Sequence, residues 1–266
     1  MRLEINDTPT FVGTASRAPR PDAPSILMIH GAGMDHSVWT LPARYFARHG
    51  FNIIAPDLPG HGRSGGDAAA TIESIAAFCT DLLNALAVKR CHVVGHSMGS
   101  LAALCLAGEG VIAIESLSLL GTSAPMPVTD VLIDTASSER MKAYQMANAW
   151  SHSQSGTFGA NENPGYSNFN LGQRLMERCD EGVYAADLSA CNSCARGMDY
   201  ARACRAPALV VIGSDDKMTA PVRGASVAEA LDNPQVVQLD GCGHAMLTEA
   251  PNAVLDALIA RISPAT

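Results

Sequence analysis

The chain has 266 residues, long enough for one large domain or for a core with an insertion, and its 47% hydrophobic content excludes a disordered chain. The formal net charge of −8, from 18 Lys and Arg against 26 Asp and Glu, argues against a nucleic-acid surface. No apolar run reaches about 18 residues, and residues 1–10 lack the apolar region of a signal peptide, so we expect a soluble, cytoplasmic protein without a membrane partner.

Short apolar runs alternate with helical patterns along most of the chain. The predicted strands are 2–5, 11–14, 25–30, 52–56, a run ending near 94, 114–120, 208–213 and 235–239, the first two forming an antiparallel edge. The predicted helices are 38–49, 71–87, 101–107, 128–150, 171–179, 183–194, 221–231 and 251–262, with Thr71 as an N-cap. This order predicts an α/β fold with a mostly parallel, eight-stranded sheet and helices on both faces.

The alternation is interrupted in the middle of the chain. After Gly121 comes a Pro-containing linker, then helical patterns and a Ser/Gly/Asn-rich stretch at 151–168, with no alternating strands. We therefore predict an α-helical cap of residues 123–206, inserted into a core formed by 1–122 and 207–266. Such insertions commonly act as lids over ligand sites.

A strand, a sharp turn and a helix surround Ser97. The apolar run before it ends in Gly95-His96-Ser97-Met98-Gly99, and a helical run follows at once. This is the pattern of a nucleophile elbow, in which small neighbours make room for a strained serine. Because Ser97 precedes a helix, free backbone N–H groups and the helix dipole favour an anion there.

A serine nucleophile needs a base, and the base needs a carboxylate to orient it. In an open parallel sheet we expect these groups just beyond the carboxyl ends of strands. Asp215 and Asp216 follow the run 209–212, and His244 follows the run 236–239. We assign His244 as the base and either aspartate as the acid, with Asp216 preferred.

Four other loop histidines, His30, His36, His61 and His96, have no strand-end acid as an obvious partner in the sequence. His30 and His96 each precede a catalytic loop element. We interpret these two as structural hydrogen-bonding residues.

Acyl transfer also requires donors for the developing oxyanion. The backbone N–H groups of Met98, next to the nucleophile, and of Ala32, in the loop after the first parallel strand, are the candidates. Six large side chains near lid or loop positions are candidates for an apolar substrate pocket, with ordinary core packing as the alternative for each. They are Trp39, Met126, Met146, Trp150, Met218 and Met246.

Eight cysteines are scattered along the chain, several inside apolar runs, so we expect free, buried thiols. Cys191 and Cys194 have the spacing of a metal or redox pair, but a second pair and an adjacent βαβ pattern are missing. We predict no metal site.

Five segments in this order resemble the α/β-hydrolase fold family: 30–33, 57–64, 95–99, 213–216 and 241–244. The resemblance implies Ser97 as nucleophile, Asp216 as acid and His244 as base. It also implies Ala32 and Met98 as oxyanion donors, and no cofactor. The most similar subgroups are capped carboxylesterases and lactonases of bacterial type.

The departures from other branches narrow the expected chemistry. Serine rather than aspartate at the elbow disfavours dehalogenases and epoxide hydrolases. The His30 loop lacks the Gly-Gly-Pro-Gly run of C–C bond hydrolases, and Ala245-Met246 replace the tryptophan that often follows the histidine in those enzymes.

The sequence therefore predicts a monomeric or homodimeric serine hydrolase that cleaves a small-molecule ester or lactone through an acyl-enzyme. A C–C bond hydrolase or enol-lactonase of a degradation pathway is one alternative. A low-turnover ligand-binding protein on the same fold is the other.

Overall fold

The computed structural model describes residues 1–159, 162 and 165–262. Its strands are β1 (Arg2–Ile5), β2 (Thr8–Gly13), β3 (Ser25–Ile29), β4 (Asn52–Pro56), β5 (Arg90–His96), β6 (Ala113–Leu120), β7 (Ala208–Gly213) and β8 (Gln235–Leu239). Its helices are α1 (Thr40–Arg48), α2 (Ile72–Ala85), α3 (Met98–Glu109), α4 (Asp130–Ser138), α5 (Arg140–Ser151), α6 (Gln154–Thr157), α7 (Asn168–Met176), α8 (Val183–Ser193), α9 (Gly197–Ala203), α10 (Pro221–Ala230), α11 (Met246–Glu249) and α12 (Pro251–Ile262). A 3-10 turn, His36–Trp39, precedes α1.

The strands form one eight-stranded sheet in the order β1-β2-β4-β3-β5-β6-β7-β8. The pairs β1–β2 and β2–β4 are antiparallel, and the other five pairs are parallel. The predicted mostly parallel sheet with an antiparallel edge is confirmed. β5 lies at the centre, so its carboxyl end opens onto the middle of the sheet edge.

Helices cover both faces of the sheet. Side chains from α2, α3, α9 and α10 pack on one face, and side chains from α1 and α12 pack on the other. Because both faces are covered, every residue of β3 and β7 is buried, which explains their continuous apolar sequences. The hydroxyl of Thr71 accepts a hydrogen bond from the Ser74 amide, as predicted for the N-cap of α2.

The segment between β6 and β7 is helical, but the predicted helix 128–150 is wrong in one respect. The structure has two helices there, α4 and α5, separated at Glu139 with φ −137° and ψ 57°. Near the break, the hydroxyls of Thr135, Ser137 and Ser138 donate to carbonyls four residues earlier. Such bonds compete with the helical pattern and weaken the end of α4.

Most of the inserted helices form their own apolar cluster, built from α4, α5, α7 and α8. The later helix α9 was not predicted, and it packs on α3 within the core. A Cβ atom on Gly108 of α3 would lie 2.7 Å from the Cα of Tyr200 in α9, so the two backbones are in close contact. α9 lies within the predicted segment 123–206, but its side chains belong to the core cluster rather than to this one.

Two further short helices, α6 and α11, were also not predicted. None of the helices in the described part of the chain combines the length and apolar character needed to cross a membrane.

Candidate active site

Ser97 occupies a strained turn between β5 and α3. Its backbone has φ 54° and ψ −122°, a conformation that side-chain-bearing residues rarely adopt. A Cβ atom on Gly95 would lie 2.2 Å from the carbonyl oxygen of Gly99, and one on Gly99 would lie 2.2 Å from that of Ile29. Both glycines are therefore required by the close approach of α3 to β5 and β3.

A buried carboxylate holds His244. Nδ1 of His244 lies 2.8 Å from Oδ2 of Asp216, and both side chains are almost fully buried. Oδ1 of Asp216 accepts from the amides of Met218 and Thr219, and Oδ2 also accepts from the Thr219 hydroxyl. Burial alone would raise the pKa of Asp216, but His244 and these hydrogen bonds outweigh it and hold that pKa below its usual value.

The neighbouring carboxylate points elsewhere. Asp215 is exposed, its amide donates to the Cys242 carbonyl, and its side chain accepts from the Ser214 hydroxyl. Of the two aspartates left open by the sequence, the structure brings Asp216 to His244.

Ser97 and His244 line the same pocket, whose volume is about 120 Å³. Among the described residues no hydrogen bond joins the Ser97 hydroxyl to His244, a common finding for catalytic groups without substrate. His96, the residue before Ser97, lies beside the His244 backbone, with Nε2 2.9 Å from the His244 carbonyl oxygen. Burial and the nearby His244 lower the pKa of His96 to about 3, so it donates as a neutral ring.

Two backbone amides beside Ser97 are available as donors. The hydrogen bonds of the described residues include none donated by the amide of Ala32 or of Met98. Ala32 lines the pocket, and Met98 is the first residue of α3. Unpaired amides at a helix start and in a neighbouring loop suit an oxyanion.

Three of the six predicted pocket residues line this pocket: Met126, Trp150 and Met218. The other three do not line it. Trp39 and Met246 are fully buried in the core, packed with α1 and α12. Met146 packs within the cluster of the inserted helices. The core-packing alternative explains these side chains.

The helices inserted between β6 and β7 supply much of the pocket wall that the sequence did not reveal. Additional apolar lining residues from α4, α7 and α8 are Leu132, Met176, Tyr184 and Leu188. Lys217 provides the only ammonium or guanidinium group among the described residues that line the pocket. Thr219, three residues after Asp216, was also missed, although this spacing is typical of a side chain that returns to cap a turn.

The expectation that the other histidines lack a strand-end acid is wrong for His36. Asp57 directly follows β4, and its Oδ1 lies 2.6 Å from Nδ1 of His36. His61 also has an acidic partner, which lies on a helix rather than at the end of a strand. Nε2 of His61 is 2.8 Å from Oδ2 of Asp187 in α8. His30 accepts from the Leu58 amide, in line with a structural role.

All eight cysteines are free and buried. Among the described residues, Asp35, His36 and Asp57 form one group with ligand atoms close together. Their oxygens are already engaged, since Asp57 accepts from His36 and the Arg63 amide, and Asp35 from Ser37 and Arg178.

Known proteins resemble this chain over nearly its whole length. A 3-oxoadipate enol-lactonase 1 from Acinetobacter baylyi is 24% identical over 232 residues, covering 86% of this chain and 85% of that protein. A putative carbamate hydrolase RutD from Stutzerimonas stutzeri is 25% identical over 239 residues, covering 85% and 86%.

Solved structures share the fold. The enol-lactonase from Burkholderia xenovorans LB400 superposes with a TM-score of 0.87 at 23% identity, covering 98% of each chain. Est816, described as an N-acyl homoserine lactone degrading enzyme, gives 0.82 at 18% identity, covering 98% of this chain and 99% of its own. The sequence profile of the alpha/beta hydrolase family matches residues 26–257, most of the chain. Together with the eight-stranded sheet and the elbow at its centre, this match shows that the chain belongs to the alpha/beta hydrolase family.

Proposed function

We propose that the protein is a serine hydrolase that cleaves a small carboxylic ester or lactone through an acyl-enzyme intermediate. One observation carries the proposal: a serine in a strained turn and a histidine bound to a buried carboxylate line one pocket, beside two unpaired backbone amides. In this proposal Ser97 is the nucleophile, His244 the base and Asp216 the acid that orients it.

In the first half-reaction Oγ of Ser97 attacks the carbonyl carbon, and its proton passes to Nε2 of His244. Asp216 on Nδ1 stabilises the imidazolium that forms. The carbonyl oxygen becomes an oxyanion that accepts hydrogen bonds from the amides of Ala32 and Met98. Collapse of this intermediate breaks the ester C–O bond, and His244 returns the proton to the leaving alkoxide.

In the second half-reaction water replaces the alcohol. His244 takes a proton from the water as it attacks the acyl carbon, the same two amides bind the oxyanion, and Ser97 leaves with the proton from His244. The products are a carboxylic acid and an alcohol. A lactone gives both groups on one molecule.

The pocket supports a small, largely apolar substrate. A pocket of about 120 Å³ lies between the carboxyl ends of the strands and the helical segment that we propose acts as its cap, and its large side chains are mainly Met, Leu, Trp and Tyr. Two of the similar proteins are named enol-lactonases and a third is described as degrading a lactone. These names favour a lactone over an open-chain ester as the first substrate to test.

The variant Ser97→Ala tests the nucleophile. We expect kcat to fall by at least about 10³-fold, because serine and histidine act as one unit. The measurement is steady-state hydrolysis of a lactone and of a chromogenic ester, with circular dichroism as a check on the fold. Near-normal turnover by the folded variant would refute the mechanism.

A substrate panel separates the proposed chemistry from its alternatives. We expect turnover of small lactones and short-chain esters to exceed that of vinylogous diketones, the substrates of C–C bond hydrolases. The opposite order would favour C–C cleavage. Ligand-dependent thermal stabilisation without product release would instead indicate a binding protein.

A further inference from the structure

A buried carboxylate in the cap contacts the loop that carries one proposed oxyanion donor. Asp187 lies in α8, and its side chain is 1% exposed. Its Oδ2 accepts two hydrogen bonds of 2.8 Å, one from the backbone amide of Gly33 and one from Nε2 of His61. A buried charge is costly unless it is paired and hydrogen-bonded, and here both conditions are met by groups of the core.

Gly33 follows Ala32, so a hydrogen bond to the Gly33 amide fixes the peptide group that joins the two residues. That peptide group is the neighbour of the one that carries the proposed donor, the Ala32 amide. Gly33 has φ +66°, and a Cβ atom there would lie 2.9 Å from the ring of Tyr184. Tyr184 is on the same helix as Asp187, one turn earlier. α8 therefore contacts Gly33 through both a hydrogen bond and a ring packed against its Cα.

His61 makes the pair a charged one. Its Nδ1 donates to the Pro59 carbonyl, which can only accept, while Nε2 faces the Asp187 carboxylate. Burial lowers the pKa of His61, but the charge and hydrogen bond of Asp187 outweigh it and raise that pKa above the usual value. The other titratable groups facing His61 are His30, at 4.9 Å between ring centroids, and Asp57. Burial and His61 lower the pKa of His30 to about 4, so His30 is neutral.

We propose that Asp187 is a positioning residue that holds the Ala32–Gly33 segment in the geometry of an oxyanion hole, so that full catalytic power requires α8 of the cap to be seated on the core. The proposal rests on the serine-hydrolase function above. Loss of the carboxylate leaves the Gly33 amide without its acceptor, and the neighbouring Ala32 amide loses its fixed direction. Because a preorganised donor acts on the transition state, the expected loss is in kcat rather than in KM.

The test compares three variants. Asp187→Leu keeps the branched skeleton, with methyl groups larger than the oxygens, and removes every acceptor, whereas Asp187→Asn keeps both shape and size and one accepting oxygen but no charge. Arg178→Gln is the matched control, because Arg178 joins the cap to Asp35 of the core without contacting Gly33.

We expect Asp187→Leu to lower kcat by about 10- to 100-fold with KM changed less than about threefold, because only transition-state binding is lost. Asp187→Asn should fall between it and the wild type, and Arg178→Gln should match the wild type. A trifluoromethyl ketone, which forms a tetrahedral oxyanion with serine, should lose affinity in parallel with kcat/KM, while the carboxylic acid product should not. If Asp187→Leu fails to fold, Asp187→Asn carries the same comparison.

Amide hydrogen exchange at Gly33 gives a readout that does not need turnover. We expect exchange to be at least about tenfold faster in Asp187→Leu than in the wild type, and unchanged in Arg178→Gln. Faster exchange with unchanged kcat would overturn the positioning role, and so would unchanged exchange. If the wild type hydrolyses no ester or lactone, the proposed function fails, and the exchange result separately decides whether Asp187 holds the loop.

Discussion

Two neighbouring aspartates have opposite environments at the end of β7. Asp216 is buried and accepts from the backbone, from Thr219 and from His244, whereas Asp215 is exposed. The buried carboxylate has its orientation fixed by four donors, and its pKa is held below the usual value despite burial. At the scale of single residues, the site depends on which of two identical side chains faces inward.

This contrast supplies a matched pair of variants. We expect Asp216→Asn to lower kcat by roughly 10²- to 10⁴-fold, because the imidazole loses the anion that fixes its tautomer and stabilises its charge. Asp215→Asn should leave kcat and KM unchanged. The measurement is ester hydrolysis by both variants under the same conditions. Equal losses in the two variants, or a loss in Asp215→Asn alone, would assign the acid differently.

Site residues at the ends of strands were predictable from the sequence, whereas contacts between the inserted helices and the core were not. Ser97, Asp216 and His244 each follow an apolar run, and parallel strands bring their carboxyl ends to one edge. Asp187 and His61 are 126 positions apart, and neither has a local pattern that names its partner. Trp39 and Met246 were predicted for the pocket and pack in the core instead of lining it, because a large side chain near a loop is compatible with either place.

The unit of β5, the elbow and α3 depends on contact between backbones. Gly95 and Gly99 allow α3 to approach β5 and β3 at distances that a Cβ atom would prevent. Because of this close approach, residues Met98 to Leu106 of α3 are all buried. The strain at Ser97 is maintained because the surrounding strand and helix are tightly packed.

A glycine pair tests this packing. We expect Gly95→Ala to cost at least about 3 kcal/mol of unfolding free energy, since the new methyl group meets backbone that cannot move aside. Gly110 is the control: it has φ +66° but open space around it, so Gly110→Ala should cost only about 1 kcal/mol. Denaturant unfolding measures both. A smaller loss for Gly95→Ala than for Gly110→Ala would contradict the packing argument.

The bounds of the core strands and helices were predicted within a few residues, whereas the bounds of the inserted helices were predicted less well. Strands buried on both faces and helices with one apolar face carry strong periodic signals. The break at Glu139 lies inside a segment whose sequence pattern predicted one continuous helix. The short helix α9 is defined by its contact with α3, and a contact between distant segments has no local signature.

At the scale of the whole molecule, hydrogen bonds join the inserted helical segment to the core. Asp187 of α8 contacts the loop after β3 through a buried hydrogen bond, and Glu249 of α11 accepts from the amide of Ser153, which follows α5. Near the same place, the amide of Ala245 donates to the carbonyl of Ser151. The loops that carry Ala32 and His244 are therefore each joined by hydrogen bonds to the inserted helical segment.

The His61–Asp187 pair predicts a pH-dependent stability. The pKa of His61 is raised in the folded protein relative to 6.5. The stability that protonated His61 adds to the folded protein is therefore fully present below about pH 6.5 and is lost as pH rises through the folded pKa. We expect the difference in unfolding free energy between wild type and Asp187→Asn to shrink as pH rises from 6 to 9. Urea unfolding at several pH values measures it. If the difference in unfolding free energy grew with pH, His61 and Asp187 would not be a charged pair in the surroundings that His30 and Asp57 provide.

Covalent labelling with a fluorophosphonate probe, followed by intact mass and peptide mapping, tests Ser97 as the nucleophile directly. We expect a single adduct on the peptide containing Ser97, absent from Ser97→Ala and formed much more slowly in His244→Ala. An adduct on another residue, or equal labelling of Ser97→Ala, would contradict it.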